Sequence, residues 1–145
     1  MALTQVQPYL FYGGRCEEAI TFYERALGAR RDMLMRFSES PDPVPPGMLS
    51  PGFENKVMHA SFFIGEQMIM ACDGGNEEER SRGVSLAITV TTEAEVDRLF
   101  NAVVADGGQA TMPPGPTFWS KRFAMGTDRF GIGWMVMVPD APPGA

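Results

Sequence analysis

The chain has a single histidine, His59, and only two cysteines, Cys16 and Cys72. A lone imidazole excludes the HExxH kind of metalloprotease site and any centre that needs two histidines. Two cysteines are too few for a zinc site built on cysteine pairs. With no charged-then-apolar leader at "MALTQVQPYL", they are expected to be free thiols and the expected compartment is the cytoplasm. No apolar run is long enough to span a bilayer. No GxxxxGK[ST] or GxGxxG follows a strand, and the pair Gly13-Gly14 alone is a weak phosphate signal, so nucleotide binding is unsupported. Positive charge is also scarce. Twelve Lys and Arg against 18 Asp and Glu give a net charge of −6, and the basic residues form no patch. This argues against nucleic acid and against an anionic membrane surface.

What remains is an ordinary globular composition, 145 residues with 44% hydrophobic and 21% charged side chains, which fits one domain or two small halves. In "RCEEAITFYERALG", Ala19, Phe22, Tyr23, Ala26 and Leu27 fall at helical spacing. Glu17 and Glu18 suit the positive end of that helix and Gly28 its stop. The segment "VQPYLFY" before it reads as extended, with Pro8 near an edge or a strand start. "RDMLMRF" and "KVMHASFFIGEQMIMAC" follow, separated by "SESPDPVPPGMLSPGFEN", whose five prolines predict a loop without regular structure.

The second half repeats this order. "GVSLAITV" alternates strictly, Thr92-x-x-Glu95 is a capping box, and Val96, Leu99, Phe100, Val103 and Val104 form a one-sided stripe stopped at Gly107-Gly108. A short "QATM", a Pro/Gly loop and the hairpin "FAMGTDRFGIGWMVMV" complete it. Each half is therefore strand, helix, then three strands. One helix covers one face of each sheet, and the other face must bend around the sister half, a second chain or a ligand.

Register arguments nominate the side chains on that second face. A turn at Gly65-Glu66 pairs Ile64 with Gln67 and sets His59 opposite Cys72. Such a pair could form a reactive thiolate, or simply pack as sheet neighbours. Val84, Leu86, Ile88 and Val90 should lie under the second helix, leaving Ser85, Ala87 and Thr89 on the concave side. The same parity puts Gln7, Tyr9 and Phe11 together. In the closing hairpin, a four-residue loop at Asp128–Gly131 pairs Thr127 with Ile132. It sets Met135 opposite Ala124 and Met137 opposite Arg122 on the concave face, with Trp134, Val136, Phe123 and Met125 under the helix. The lining expected from the two halves includes Gln7, Tyr9, Phe11, His59 and Met70 from the first. The second gives Ser85, Thr89, Arg122, Met135 and Met137. Methionines suit irregular ligands and irregular cores alike. Arg122 is either an anion clamp or a solvated edge residue. Trp119, in "PPGPTFWSKRF", either caps a pocket or anchors its loop.

The segments "PYLFYGGRCEEAITFYERALGA" and "GTDRFGIGWMVMV", set in this repeated order, resemble the vicinal oxygen chelate superfamily of glyoxalase I, extradiol dioxygenases and bleomycin-resistance proteins. More narrowly they resemble its PhnB-like branch, often labelled 3-demethylubiquinone-9 3-methyltransferase. The markers are Pro8-Tyr9-Leu10, Glu18-Ala19-Ile20, Phe22-Tyr23, Leu27-Gly28, Ile64-Gly65, Phe118-Trp119 and Thr127-Asp128-x-Phe130-Gly131-x-x-Trp134. Nothing in the chain resembles a glycine-rich S-adenosylmethionine loop.

The resemblance implies an α+β glyoxalase-like fold of two βαβββ modules forming an open barrel-like cleft. The expected single domain covers 1–145, with module 1 at about 1–73, a linker at 74–82 and module 2 at about 83–140. It also implies a homodimer and a divalent metal held by four concave positions. Those positions fall on Gln7, near Met70, on Ser85 where histidine is usual, and on Met135 where glutamate is usual. A hard ion wants carboxylate or imidazole rather than thioether. The expectation is therefore a small organic ligand bound without metal or other cofactor. The alternatives are a glyoxalase- or dioxygenase-type enzyme with a rearranged metal site, a metal-free enzyme using His59 and Cys72, or a scaffold whose concave face is filled by its own side chains.

Overall fold

A computed structural model of the chain describes residues 3–42, 49–75 and 81–139. It divides into two compact units, Met1–Glu79 and Arg80–Ala145. The first contains β1 (Tyr9–Phe11), α1 (Cys16–Leu27), β2 (Arg30–Arg36), β3 (Val57–Ile64) and β4 (Gln67–Cys72). The second contains β5 (Ser85–Thr89), α2 (Glu93–Val103), β6 (Gln109–Gly115), β7 (Phe123–Thr127) and β8 (Gly133–Met137). The sheet orders are β1-β4-β3-β2 and β5-β8-β7-β6. In each, the first strand runs parallel to the last and the other pairs are antiparallel. The fold is thus α+β, two βαβββ modules, and neither sheet closes on itself.

Local chemistry explains the elements. The α1 helix stops at Gly28, whose φ of 68° places it in the left-handed region that glycine enters without cost. At the start of α2 the Thr92 hydroxyl accepts from the Glu95 amide at 3.2 Å. The Glu95 carboxylate turns to Arg98 instead of closing the box. This helix ends at Val103, four residues before the predicted glycine stop, and a turn carries the chain on to Gly107.

Each helix buries its apolar stripe on one sheet face. In the first unit, Ile20, Phe22 and Tyr23 join Phe62, Ile69 and Ala71, and the rings of Tyr23 and Phe62 stack at 5.9 Å. In the second, Val96, Phe100 and Val103 join Ala124, Trp134 and Val136. Gly126 is required by space. A Cβ there would lie 2.7 Å from the Gln109 carbonyl oxygen and 3.1 Å from the Phe100 ring.

Three expectations are corrected. The proline-rich loop is not wholly irregular, because Phe37–Glu39 and Phe53–Asn55 form single 3-10 turns; its residues 43–48 lie outside the described ones. The strand begun by "QATM" continues through Pro113 and Pro114 to Gly115. It is an outer strand with an irregular register, where a missing N–H donor is tolerated.

The closing hairpin is shifted by one residue. Thr127 pairs with Gly133, Met125 with Met135 and Phe123 with Met137, so Asp128–Ile132 forms a five-residue loop. The cause is Asp128, whose Oδ1 accepts from the amides of both Phe130 and Ile132 while Oδ2 accepts from Trp134 Nε1 at 2.9 Å. The carboxylate lengthens the loop by occupying it.

Candidate functional site

In the first unit, strand alternation separates a helix-covered face from an open one. Tyr9, Phe11 and Met70 share the open face, with Tyr9 paired to Met70 and Phe11 to Cys72. Across β4, Met70 pairs with Ser61, and His59 lies two residues further along β3, opposite Met35. The Tyr9 ring sits 5.1 Å from Phe11 and 5.7 Å from His59, and its hydroxyl lies 3.1 Å from His59 Nδ1. Tyr9 and Phe11 are 37% and 59% exposed, which for large aromatic side chains leaves the rings open on one side. Burial of its hydroxyl end, then a hydrogen bond with Cys72, push the Tyr9 phenol up to about 12. It therefore keeps its proton throughout the neutral range.

The structure puts the predicted His59 and Cys72 near the same tyrosine but does not make a catalytic dyad of them. The β3–β4 ladder runs from Ile64↔Gln67 to Ala60↔Ala71 and stops one step short of them. His59 is engaged by Tyr9, and the Cys72 sulfur accepts from the Gly74 amide at 3.3 Å. Cys16 is fully buried, and burial followed by the nearby Asp73 carboxylate pushes its thiol up, so it is no nucleophile. Both cysteines are free thiols.

Gln7 stands just before β1. The Pro8 carbonyl accepts from the Met70 amide, so the chain is already in register there and alternation returns Gln7 to the side of Tyr9. Its Nε2 is enclosed and, among the described residues, has no acceptor. The Gly13-Gly14 turn is not a phosphate cradle. The amides of Gly14 and Cys16 point at the chain's own Asp73 Oδ1, at 2.8 and 2.7 Å.

In the second unit, β5 pairs Ser85 with Gly133, Ala87 with Met135 and Thr89 with Met137, while Leu86 and Ile88 lie beside Trp134 and Val136. The helix covers the latter side, as the alternation predicted for Leu86 and Ile88, whereas Val84 precedes the strand and is 69% exposed. The open face thus carries Ser85, Thr89, Met135 and Met137, together with Phe123 and Met125, which move here from the helix side with the register shift. Arg122 moves the other way. Its backbone carbonyl accepts from Val138, and its Nε donates to Asp97 of α2 at 2.7 Å, so it does not share a face with Met135. Trp119, in the loop before β7, sits edge-on at 5.4 Å from Phe123 and remains 42% exposed.

A further hollow of about 330 Å³ in this unit is bordered by Ser81, Gln109, Thr127, Asp128 and Arg129. No sequence pattern points to it, because separate turns bring these residues together. Its carboxylate is already committed to the loop amides.

Among the described residues no three of His, Cys, Asp and Glu gather in a way that could hold a metal ion. At the four positions implied for a metal, Gln7, Met70, Ser85 and Met135 offer an amide, a hydroxyl and two thioethers. That set does not suit a hard divalent cation. No helix among the described residues is long and apolar enough to cross a membrane.

Comparison with known proteins gives this geometry its context. The family model described as 3-demethylubiquinone-9 3-methyltransferase matches residues 4–137. The crystal structure of protein PA1353 from Pseudomonas aeruginosa is 38% identical, with a TM-score of 0.80 over 96% of this chain and 100% of that one. The PhnB protein of Bacillus cereus is 26% identical, with a TM-score of 0.76 over 93% of this chain and 99% of that one. The fosfomycin resistance protein FosX of Listeria monocytogenes, crystallised in complex with Mn(II) and a sulfate ion, is 14% identical with a TM-score of 0.63. The match spans 96% of this chain and 93% of FosX, and is a likeness of fold alone. The chain belongs to the 3-demethylubiquinone-9 3-methyltransferase family, and among solved structures it is similar to the PhnB protein described in the same terms.

Proposed function

We propose that this protein binds a small organic molecule on the open faces of its sheets, without the divalent metal of its superfamily, and acts in the cytoplasm as a homodimer. The observation that carries the reading is Met135. It stands on the open face of β8, between Ala87 and Met125, at the position where the resemblance implies a metal-binding acid. With Met137 and Met125 beside it, the strand offers adaptable apolar contact where a carboxylate would offer charge. Tyr9, Phe11, His59 and Met70 give the first unit a similar lining. This is the chemistry of sequestration rather than of Lewis-acid catalysis.

Metal analysis of protein purified without chelator, followed by native mass spectrometry, tests the proposal. The expected result is metal well below one equivalent and a co-purified organic molecule. One equivalent of zinc, nickel, manganese or iron that disappears in the Gln7→Ala and Ser85→Ala variants would overturn it. Light scattering in solution, giving a mass twice that of the chain, tests the dimer.

The contact between Tyr9 and His59 favours a second reading, a metal-free enzyme in which the imidazole moves a proton at the ligand. In that case His59→Ala abolishes turnover of the co-purified molecule while leaving its binding in place.

A further inference from the structure

We propose that the open face of the first sheet takes an uncharged planar aromatic molecule bearing an oxygen acceptor, with Phe11 as its stacking surface and the Tyr9 hydroxyl and Gln7 amide as its donors. The inference rests on the ligand-binding function proposed above and names the class of ligand.

Three observations define the class. The first is the ring arrangement. Phe11 and His59 flank Tyr9 at 5.1 and 5.7 Å, tilted from it by 37° and 38°, and Phe11 is the most open of these large side chains on the face. A flat ring system laid on Phe11 meets Tyr9 at an inclination, which is a favourable aromatic geometry. Met70 and Met35 lie beside these rings on the same face, soft contacts for the edge of such a ligand.

The second observation is the state of the donors. Gln7 Nε2 is enclosed with no acceptor among the described residues, and a buried donor left so is destabilising. Turned towards the open face, the amide meets a ligand oxygen that supplies the missing acceptor. The Tyr9 hydroxyl keeps its proton at neutral pH and can turn from His59 to the same kind of atom.

The third concerns charge. The rows Tyr9, Met70, Ser61 and Phe11, Cys72 contain no Lys or Arg, and Arg30 in the next row is committed to the Phe63 ring at 5.2 Å and to the Gly65 carbonyl at 3.1 Å. An anionic ligand would find no counter-charge on these rows, and the whole chain carries −6. The acceptor is therefore a neutral carbonyl or ether oxygen, not a carboxylate or phosphate.

The full chain is titrated with chromone, an uncharged bicyclic carbonyl compound, and with naphthalene, cyclohexanone and benzoate as controls, by saturation-transfer NMR and calorimetry. Chromone is expected to bind, about tenfold more weakly in Phe11→Ala. Tyr9→Phe, which preserves packing, is expected to weaken chromone about fivefold and leave naphthalene unchanged. Failure of chromone to bind, or equal affinity for the wild type and Phe11→Ala, overturns the inference. So does preference for cyclohexanone or benzoate. If a non-aromatic molecule co-purifies while chromone fails, the proposed function stands and this inference alone falls.

Discussion

The Tyr9 hydroxyl and His59 Nδ1, fifty residues apart in sequence, lie 3.1 Å apart on one sheet face. This contact ties the edge strand β1 to β3 across the intervening β4. It also uses the only imidazole of the chain.

Tyr9 should resist base. Its folded value, about 12, lies above the ordinary value of 10.0. The group therefore contributes stability that is fully present below pH 10 and is lost as pH rises towards 12. Absorbance titration of phenolate in the wild type and in Tyr9→Phe is expected to show that the missing signal belongs to the upper end of that range. A missing signal centred at pH 10 would contradict it.

Asp73 is the buried keystone of the first unit. Its carboxylate accepts from three backbone amides, those of Gly14, Cys16 and Val57, and the residue is 2% exposed. Replacement by Ala leaves these donors without their acceptor, at a cost of about 3–5 kcal/mol. Urea unfolding of Asp73→Ala measures this loss.

Arg122→Ala is expected to leave the stability little changed, since its pair with Asp97 is partly exposed and screened. More tellingly, the affinity for any co-purified ligand should not change. A large loss of affinity would return Arg122 to the binding face.

Glu17 is held below its ordinary value of 4.5, first by its hydrogen bonds to Arg36 and then by the charge of Arg36 and Arg31. Both Arg36 contacts are 3.0 Å. Because the folded value is depressed, the stabilisation is present above pH 4.5 and fades as pH falls through the folded value. Glu17→Gln should therefore flatten the acid limb of the stability curve. The effect should shrink in high salt, because the carboxylate is 42% exposed. Identical acid limbs in the two proteins would count against this pair.

Much of this was legible in the sequence because it is periodic. The alternation of "GVSLAITV" assigned Leu86 and Ile88 to the helix side and Ser85 and Thr89 to the open side. The Gly65-Glu66 turn set the Ile64↔Gln67 pair. The closing hairpin was misread because its loop length depends on what the Asp128 side chain bonds, and no residue pattern declares that. One residue of slip exchanged the faces of Arg122, Phe123 and Met125 while leaving Met135 in place. The Tyr9 contact with His59 was missed for a related reason. Parity placed both side chains on one face, but only the packed sheet shows that the hydroxyl reaches the ring.

The carboxylates of Asp73 and Asp128 have a consequence for the open faces. Each works as an internal staple, one binding the loop and helix entry of the first unit, the other binding the closing turn and Trp134 of the second. Both are buried and spend their oxygens on their own unit. Asp128 and Trp134 are also among the residues that carry the resemblance described above, and their mutual contact serves the scaffold rather than the open faces. With shape secured by the staples, side chains on the open faces can be exchanged without unfolding the module.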